Sequence, residues 1–347
     1  MKPGTWLWLP GILSQQGGSP LPPSDTIVLG SRSTSFVFAY PWTSASGFGT
    51  KYSDPASPPT NDVFGATFSP DGSDVAFGWR SSPYVSVYAW SSGFGSKYSN
   101  PASLPASFCY NLTFSPDGSD IVIPHRTTPF VAAYPWSSGF GSKYSTPATL
   151  PPDDARGSSF APNGSTVAIS HASSPYVSVY PWSSGFGFGS KYSDPATLPT
   201  GTGNFVTFSP SGADIAVAHL ASPYVSVYPW SSGFGSKYSN PATLPGGDGN
   251  TVRFSPDGAD LAVAHDSSPY VSVYPWSSGF GSKYSNPATL PGSDGLGAAF
   301  TSDGVDIAVS TLSSPYVSVY PWSSGFGTKY SDPATLPIDI TDVVTFN

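Results

Sequence analysis

Four histidines stand at one place in an internal repeat: His125, His171, His219 and His265. Imidazoles can ligate a metal or act as a general base near neutral pH. A shared metal needs every ligand nitrogen within about 2.1 Å of one ion. These residues are 46 or 48 positions apart, so they fall in successive structural units, and no second His or Cys completes a local site. The residues predict an imidazole bonded to a loop carbonyl, with no metal and no cofactor. The Asp pairs Asp71/Asp74 and Asp257/Asp260 look like acid/base pairs. However, they recur in SPDGxD segments, with Asn163 and Ser211 replacing the first Asp, which reads as turn chemistry. The single cysteine, Cys109, lies between Phe108 and Tyr110 with no base beside it and reads as a packed thiol. No Gly-rich loop ending in Lys-Ser/Thr, no GxSxG and no HExxH is present. The expectation is therefore of no catalytic residue and no enzyme.

The elements that would position these residues follow from the repeat. The phrase PYVSVYPW stands intact at Pro175–Trp182, Pro223–Trp230, Pro269–Trp276 and Pro315–Trp322, and in degenerate form at Ser35–Trp42, Pro83–Trp90 and Pro129–Trp136. A fixed period of this size marks a repeat architecture whose units bury their faces on one another. Residues 251–290 read as one unit. TVRFS is a strand, Pro256-Asp257-Gly258 a tight turn, LAVAH a second strand, YVSVYPW a third and SKYS a short outer fourth. In the third strand Val271 and Val273 face one way, and Tyr270, Ser272, Tyr274 and Trp276 the other, as burial on both faces requires.

Four antiparallel strands per unit and seven units predict an all-β, seven-bladed β-propeller over residues 25–347. The first-strand Phe recurs at Phe68, Phe114, Phe160, Phe208, Phe254, Phe300 and Phe346. The N-terminal unit lacks a first strand, and VVTFN at the C-terminus supplies one. Residues 343–346 are expected to pair with 26–29 and close the ring. Residues 1–24 form an apolar extension and linker outside the repeat, able to lie across the ring or anchor it to a larger assembly.

The FSPDG turn (Phe254–Gly258) and VSVY strand (Val271–Tyr274), with their copies, resemble the WD-repeat superfamily and the related YVTN-type propeller repeats. The resemblance covers about residues 25–347. The chain departs from the WD pattern in having Tyr-Pro-Trp, as at Tyr274–Trp276, for Trp-Asp, and no Gly-His before the first strand. The resemblance implies a protein-docking platform.

Composition narrows the partners. Charged residues make up 10% of the chain, net charge is −8, and glutamate is absent. Without a basic stripe, nucleic acid is excluded. No apolar run approaches the ~20 residues of a membrane helix, so no membrane insertion is expected. The start MKPGTWLWLPGIL is broken by Pro10 and Gly11 and makes a poor signal peptide, which favours a virion or cytoplasmic location.

Two loop sets vary between units and emerge on one face. Their residues Asp62, Trp79, Arg80, Phe108, Tyr110, His125, Arg126, Asp154, Arg156, His171, His219, Asp248, His265, Asp266 and Asp294 are the candidate binding set. The opposite face is uniform. There Phe94, Phe140, Phe186, Phe234, Phe280 and Phe326 form an apolar rim if exposed, or plug their own units if folded back. The resulting expectation is a non-enzymatic recognition or structural module, virion-associated or at a cell surface, binding a protein or glycan. An intracellular WD-like scaffold is the alternative, and an enzyme with a central-channel site the third reading.

Overall fold

The computed structural model describes residues 25–347; the N-terminal extension lies outside the described residues. Seven antiparallel sheets stand in sequence. Blade 1 joins Thr341–Phe346 to Asp25–Ser31, Val37–Thr43 and Gly47–Phe48. Blades 2 to 7 begin with inner strands Val63–Phe68, Thr113–Phe114, Ala155–Phe160, Gly203–Phe208, Gly249–Phe254 and Gly295–Phe300. The ring closes as expected, with Ile27 opposite Phe346, Val28 opposite Thr345 and Leu29 opposite Val344. This pairing covers the inner edge of Asp25–Ser31 and gives blade 1 the same inner strand as the other blades.

The outer strand is weaker than expected. It is a two- to four-residue strand in blades 1, 2 and 4 and a single bridge, such as Trp276 to Phe280, in blades 3, 5, 6 and 7. The predicted SKYS strand at 282–285 does not form. The third strand carries a proline, as at Pro275, whose carbonyl accepts from Gly281 at 2.8 Å but which has no N–H to return. Blade 2 has Ala89 at that position and the longest outer strand, Phe94–Lys97.

Seven apolar clusters fill the ring, each between two blades. Val28, Val37 and Ala39 of blade 1, for example, pack on Val63, Val75 and Phe77 of blade 2. Carboxylates tie the seams. Asp74, Asp120, Asp214, Asp260 and Asp306 each accept from an indole of another blade and a tyrosine hydroxyl. At Asp260 the donors are Trp322 Nε1 at 2.8 Å and the Tyr284 hydroxyl at 2.9 Å. The first Asp of each turn acts as expected, with Asp71 accepting from Ser69 Oγ and the Ser73 amide. The second, such as Asp74, is an inter-blade tie that turn chemistry does not account for.

A candidate site at the mouth of the central channel

In six of the seven inner strands the second residue has no partner on the neighbouring strand. The register slips across Phe64, Arg156, Asn204, Asn250, Leu296 and Asp342, each a β-bulge. Tyr110 holds the same repeat position in blade 3, four residues before the recurring Phe. A bulge re-aims a side chain out of the ladder. All seven side chains line one cavity of about 280 Å³ at the channel mouth. Much of each blade repeats closely, but at this position the blades carry Phe, Tyr, Arg, Asn, Asn, Leu and Asp.

Arg32, from the loop after the second strand of blade 1, joins them. It donates through Nε to Asp342 Oδ2 at 2.7 Å and through Nη2 to Oδ1 at 2.5 Å. Burial pushes the Asp342 carboxyl up, and Arg32 opposes it. Arg156 donates through Nη1 to Asn204 Oδ1 at 2.7 Å, while its buried Nε has no hydrogen-bond partner among the described residues. Asn204 and Asn250 in turn donate to the Gly249 and Gly295 carbonyls. Between Arg32 and Arg156 the wall is aromatic. Phe64 packs on Phe108 and Tyr110, with Arg32 5.4 Å above Phe64 and Arg156 5.5 Å above Tyr110. Three of the chain's five arginines, Arg32, Arg156 and Arg253, line this cavity against one carboxylate. The channel is cationic in a protein of net charge −8.

The structure brings only part of the expected binding set to this place. Tyr110 and Arg156 line the cavity. Phe108 and Arg126 stack beside it, 5.6 Å apart. Asp154 accepts from the Tyr110 hydroxyl at 3.3 Å, and burial raises its carboxyl. Asp62 pairs with Arg80 at 2.8 Å on the rim. Asp248, Asp266 and Asp294 are half-buried on neighbouring loops outside the lining. Trp79 and the four histidines do not reach the surface. His171, His219 and His265 bond through Nε2 to Ser178, Ser226 and Ser272, each at 3.0 Å. His171 also meets the Ser173 carbonyl, the partner expected from sequence. Burial pushes all four down to about 4. Among the described residues no three His, Cys, Asp or Glu side chains cluster as metal ligands.

On the opposite face Phe94, Phe140, Phe234, Phe280 and Phe326 fold back onto their own blades; Phe280 meets Trp276 edge-on at 5.1 Å. Phe186 is the exception, at 85% exposed. Its hairpin has two extra residues, so Phe188, 5.0 Å from Trp182, takes the plugging role that the repeat register assigns to Phe186.

Sequence reading missed Phe64, Asn204, Asn250, Leu296 and Asp342 as a set because it placed them in the variable loops rather than on the strand. Arg32 and Arg253 were missed as well. For Arg253 a signal existed: the other copies carry Thr, Ser or Ala at its position.

No protein-family model matches the chain, and no curated protein is similar to it. Solved structures are. A Bacteroides uniformis protein assigned as a 6-phosphogluconolactonase superposes with a TM-score of 0.72 at 14% identity, covering 93% of this chain and 99% of that one. A Bacteroides fragilis protein with the same assignment gives 0.74 at 12%, covering 93% and 98%. The periplasmic gluconolactonase of Pseudomonas aeruginosa gives 0.69 at 16%, covering 93% and 99%.

The fold is a seven-bladed β-propeller.

At this identity the likeness shows the fold alone. It nevertheless corrects the expectation of a non-enzymatic recognition or structural module, because these whole-length neighbours carry enzyme names. The virion, cell-surface and docking-scaffold readings rested on composition and on analogy with WD repeats, and composition does not report what a channel holds.

Proposed function

We propose that this propeller is a hydrolase of small cyclic esters, a lactonase, acting at the mouth of its central channel. The observation that carries the reading is the ring of bulge positions. Seven equivalent repeat positions, six of them bulges, converge on one cavity, and there the repeat carries cationic, amide, carboxylate and aromatic side chains. The lactonase names of the structural neighbours support the reaction class.

The chemistry fits the residues. Opening a lactone needs a base for water and donors for the oxyanion that develops on the carbonyl oxygen. Asp342, held by Arg32 and raised by burial, takes the proton as the water oxygen bonds to the carbonyl carbon. Arg156, oriented by Asn204, donates to the oxyanion. Collapse breaks the ring C–O bond, and the departing oxygen recovers the proton from Asp342, leaving a hydroxy acid. The aromatic wall of Phe64 and Tyr110 offers a face for the ring. The expected glycan ligand narrows here to a single sugar-acid ring. Within the propellers, the FSPDG and VSVY segments support kinship with WD and YVTN-type repeats.

The test is acid release in a pH-stat from a panel of sugar-acid γ- and δ-lactones, corrected for spontaneous opening. Turnover by the native chain should fall about 100-fold or more in Arg156→Ala and Asp342→Asn. Failure of the native chain to exceed the blank on every lactone would end the proposal.

A further inference from the structure

Three residues beyond the mouth ring, and about 10 Å deeper along the strands, the repeat sets a second ring of channel residues. Six blades carry Thr67, Thr113, Ser159, Thr207, Ala299 and Thr345, all small and uncharged. The seventh carries Arg253. The hydroxyls of Thr67, Ser159, Thr207 and Thr345 donate to the carbonyl of the next residue in their own strands. They form a quiet polar wall with one guanidinium in it.

Arg253 has no hydrogen-bonded side-chain partner and no ion pair among the described residues. Its one specific contact is the Phe205 ring, 4.3 Å below the guanidinium carbon. It lines the mouth cavity and also a second cavity of about 340 Å³ on the far side, and among the described residues no other lines both. Among the described residues the far cavity holds no carboxylate and no other charge. Among the described residues the only carboxylate in the mouth cavity, Asp342, is already committed to Arg32. Arg253 is half-buried in the channel wall; holding a guanidinium there without a counter-charge is unfavourable, and burial pushes it down to about 10. It remains a cation at neutral pH.

We infer that Arg253 is a binding site for a small oxyanion, a carboxylate or a phosphate, at the waist of the channel. The planar fork of N–H donors suits both groups, and the net positive lining draws anions inward. The anion is either free or the charged end of a ligand seated at the mouth. The inference rests on the geometry of the channel and not on hydrolysis there, so a protein that opens no lactone would still bind the anion.

The repeat supplies its own control. Arg253→Thr installs the residue that four other blades carry at this position, so the blade is expected to fold. Isothermal titration of the full chain with inorganic phosphate, and separately with gluconate, tests the site. Saturable one-site binding that weakens roughly tenfold or more in Arg253→Thr supports it. Phosphate binding that survives Arg156→Ala identifies a free anion. Gluconate binding lost in both variants identifies the anionic end of a mouth-bound ligand. Binding of equal strength in Arg253→Thr, or no saturable binding of either anion to the native chain, overturns the inference.

Discussion

The carboxylate of Asp306 closes the ring a second time, and removing it should weaken the whole fold. Its Oδ2 accepts from Trp42 Nε1 at 2.9 Å and Ser44 Oγ at 2.6 Å, and its Oδ1 from the Tyr330 hydroxyl at 2.9 Å. Trp42 belongs to blade 1 and Asp306 to blade 7, so these bonds cross the seam where the chain ends meet. Thr26 and Thr166 hold the equivalent position in blades 1 and 4, so Asp306→Thr should leave the strand intact. The Trp42 indole is 1% exposed and would lose its partner without gaining water. A buried donor left unpaired costs about 1–3 kcal/mol. The Ser44 and Tyr330 hydroxyls are less enclosed and recover part of their loss from solvent. The net expectation is about 2–4 kcal/mol. Guanidinium unfolding followed by tryptophan fluorescence would read this as a lower midpoint at unchanged slope. A loss below about 1 kcal/mol would refute the reasoning and assign the closing strength to the pairing of Thr341–Phe346 with Asp25–Ser31 alone.

Blade 3 has Ala132 where blades 4, 5 and 6 place the serine that bonds histidine, and both ring nitrogens of His125 lack a partner among the described residues. Ala132→Ser should stabilise the protein by about 0.5–1.5 kcal/mol, seen as a raised unfolding midpoint. The four histidines should also make stability depend on pH. In the fold they stay neutral down to about 4, while the unfolded chain protonates them below about 6.5. The unfolded state then binds more protons, so their stabilisation is complete above about pH 6.5 and is lost as pH falls towards 4. Denaturation midpoints from pH 7.5 to 4 check this, and a flat profile counts against it. Phe186→Ser should leave stability unchanged within about 0.5 kcal/mol. Phe188→Ser, which strips the Trp182 and Tyr180 contacts, should cost about 3 kcal/mol; equal effects would mean that the plug has been misassigned.

Individual residues show where the sequence was legible. Ring closure was readable because Phe346 continues a series that begins at Phe68, and a blade lacking an inner strand must find one. The folding back of Phe280 was one of two readings left open, since an apolar tip on a repeated hairpin lowers its free energy by covering the neighbouring Trp276. The outer strand was overestimated because the cost of Pro275 falls on the edge where that strand would bond. The register of Phe186 was misread because a two-residue insertion leaves the motif intact while moving the plug.

By itself the sequence determined the propeller, its seven blades, its closure and the turn role of residues such as Asp71. Those features follow from local periodicity, which repeats in every copy and is visible without coordinates. Only the tertiary structure decided the channel. Whether Asn204, Asn250 or Asp342 points at solvent or at the axis depends on a one-residue bulge in pairing, and a slip of one reverses the side of a strand. Whether Arg253 is a solvated surface charge or a lone cation depends on seven strands, distant in sequence, meeting around one axis.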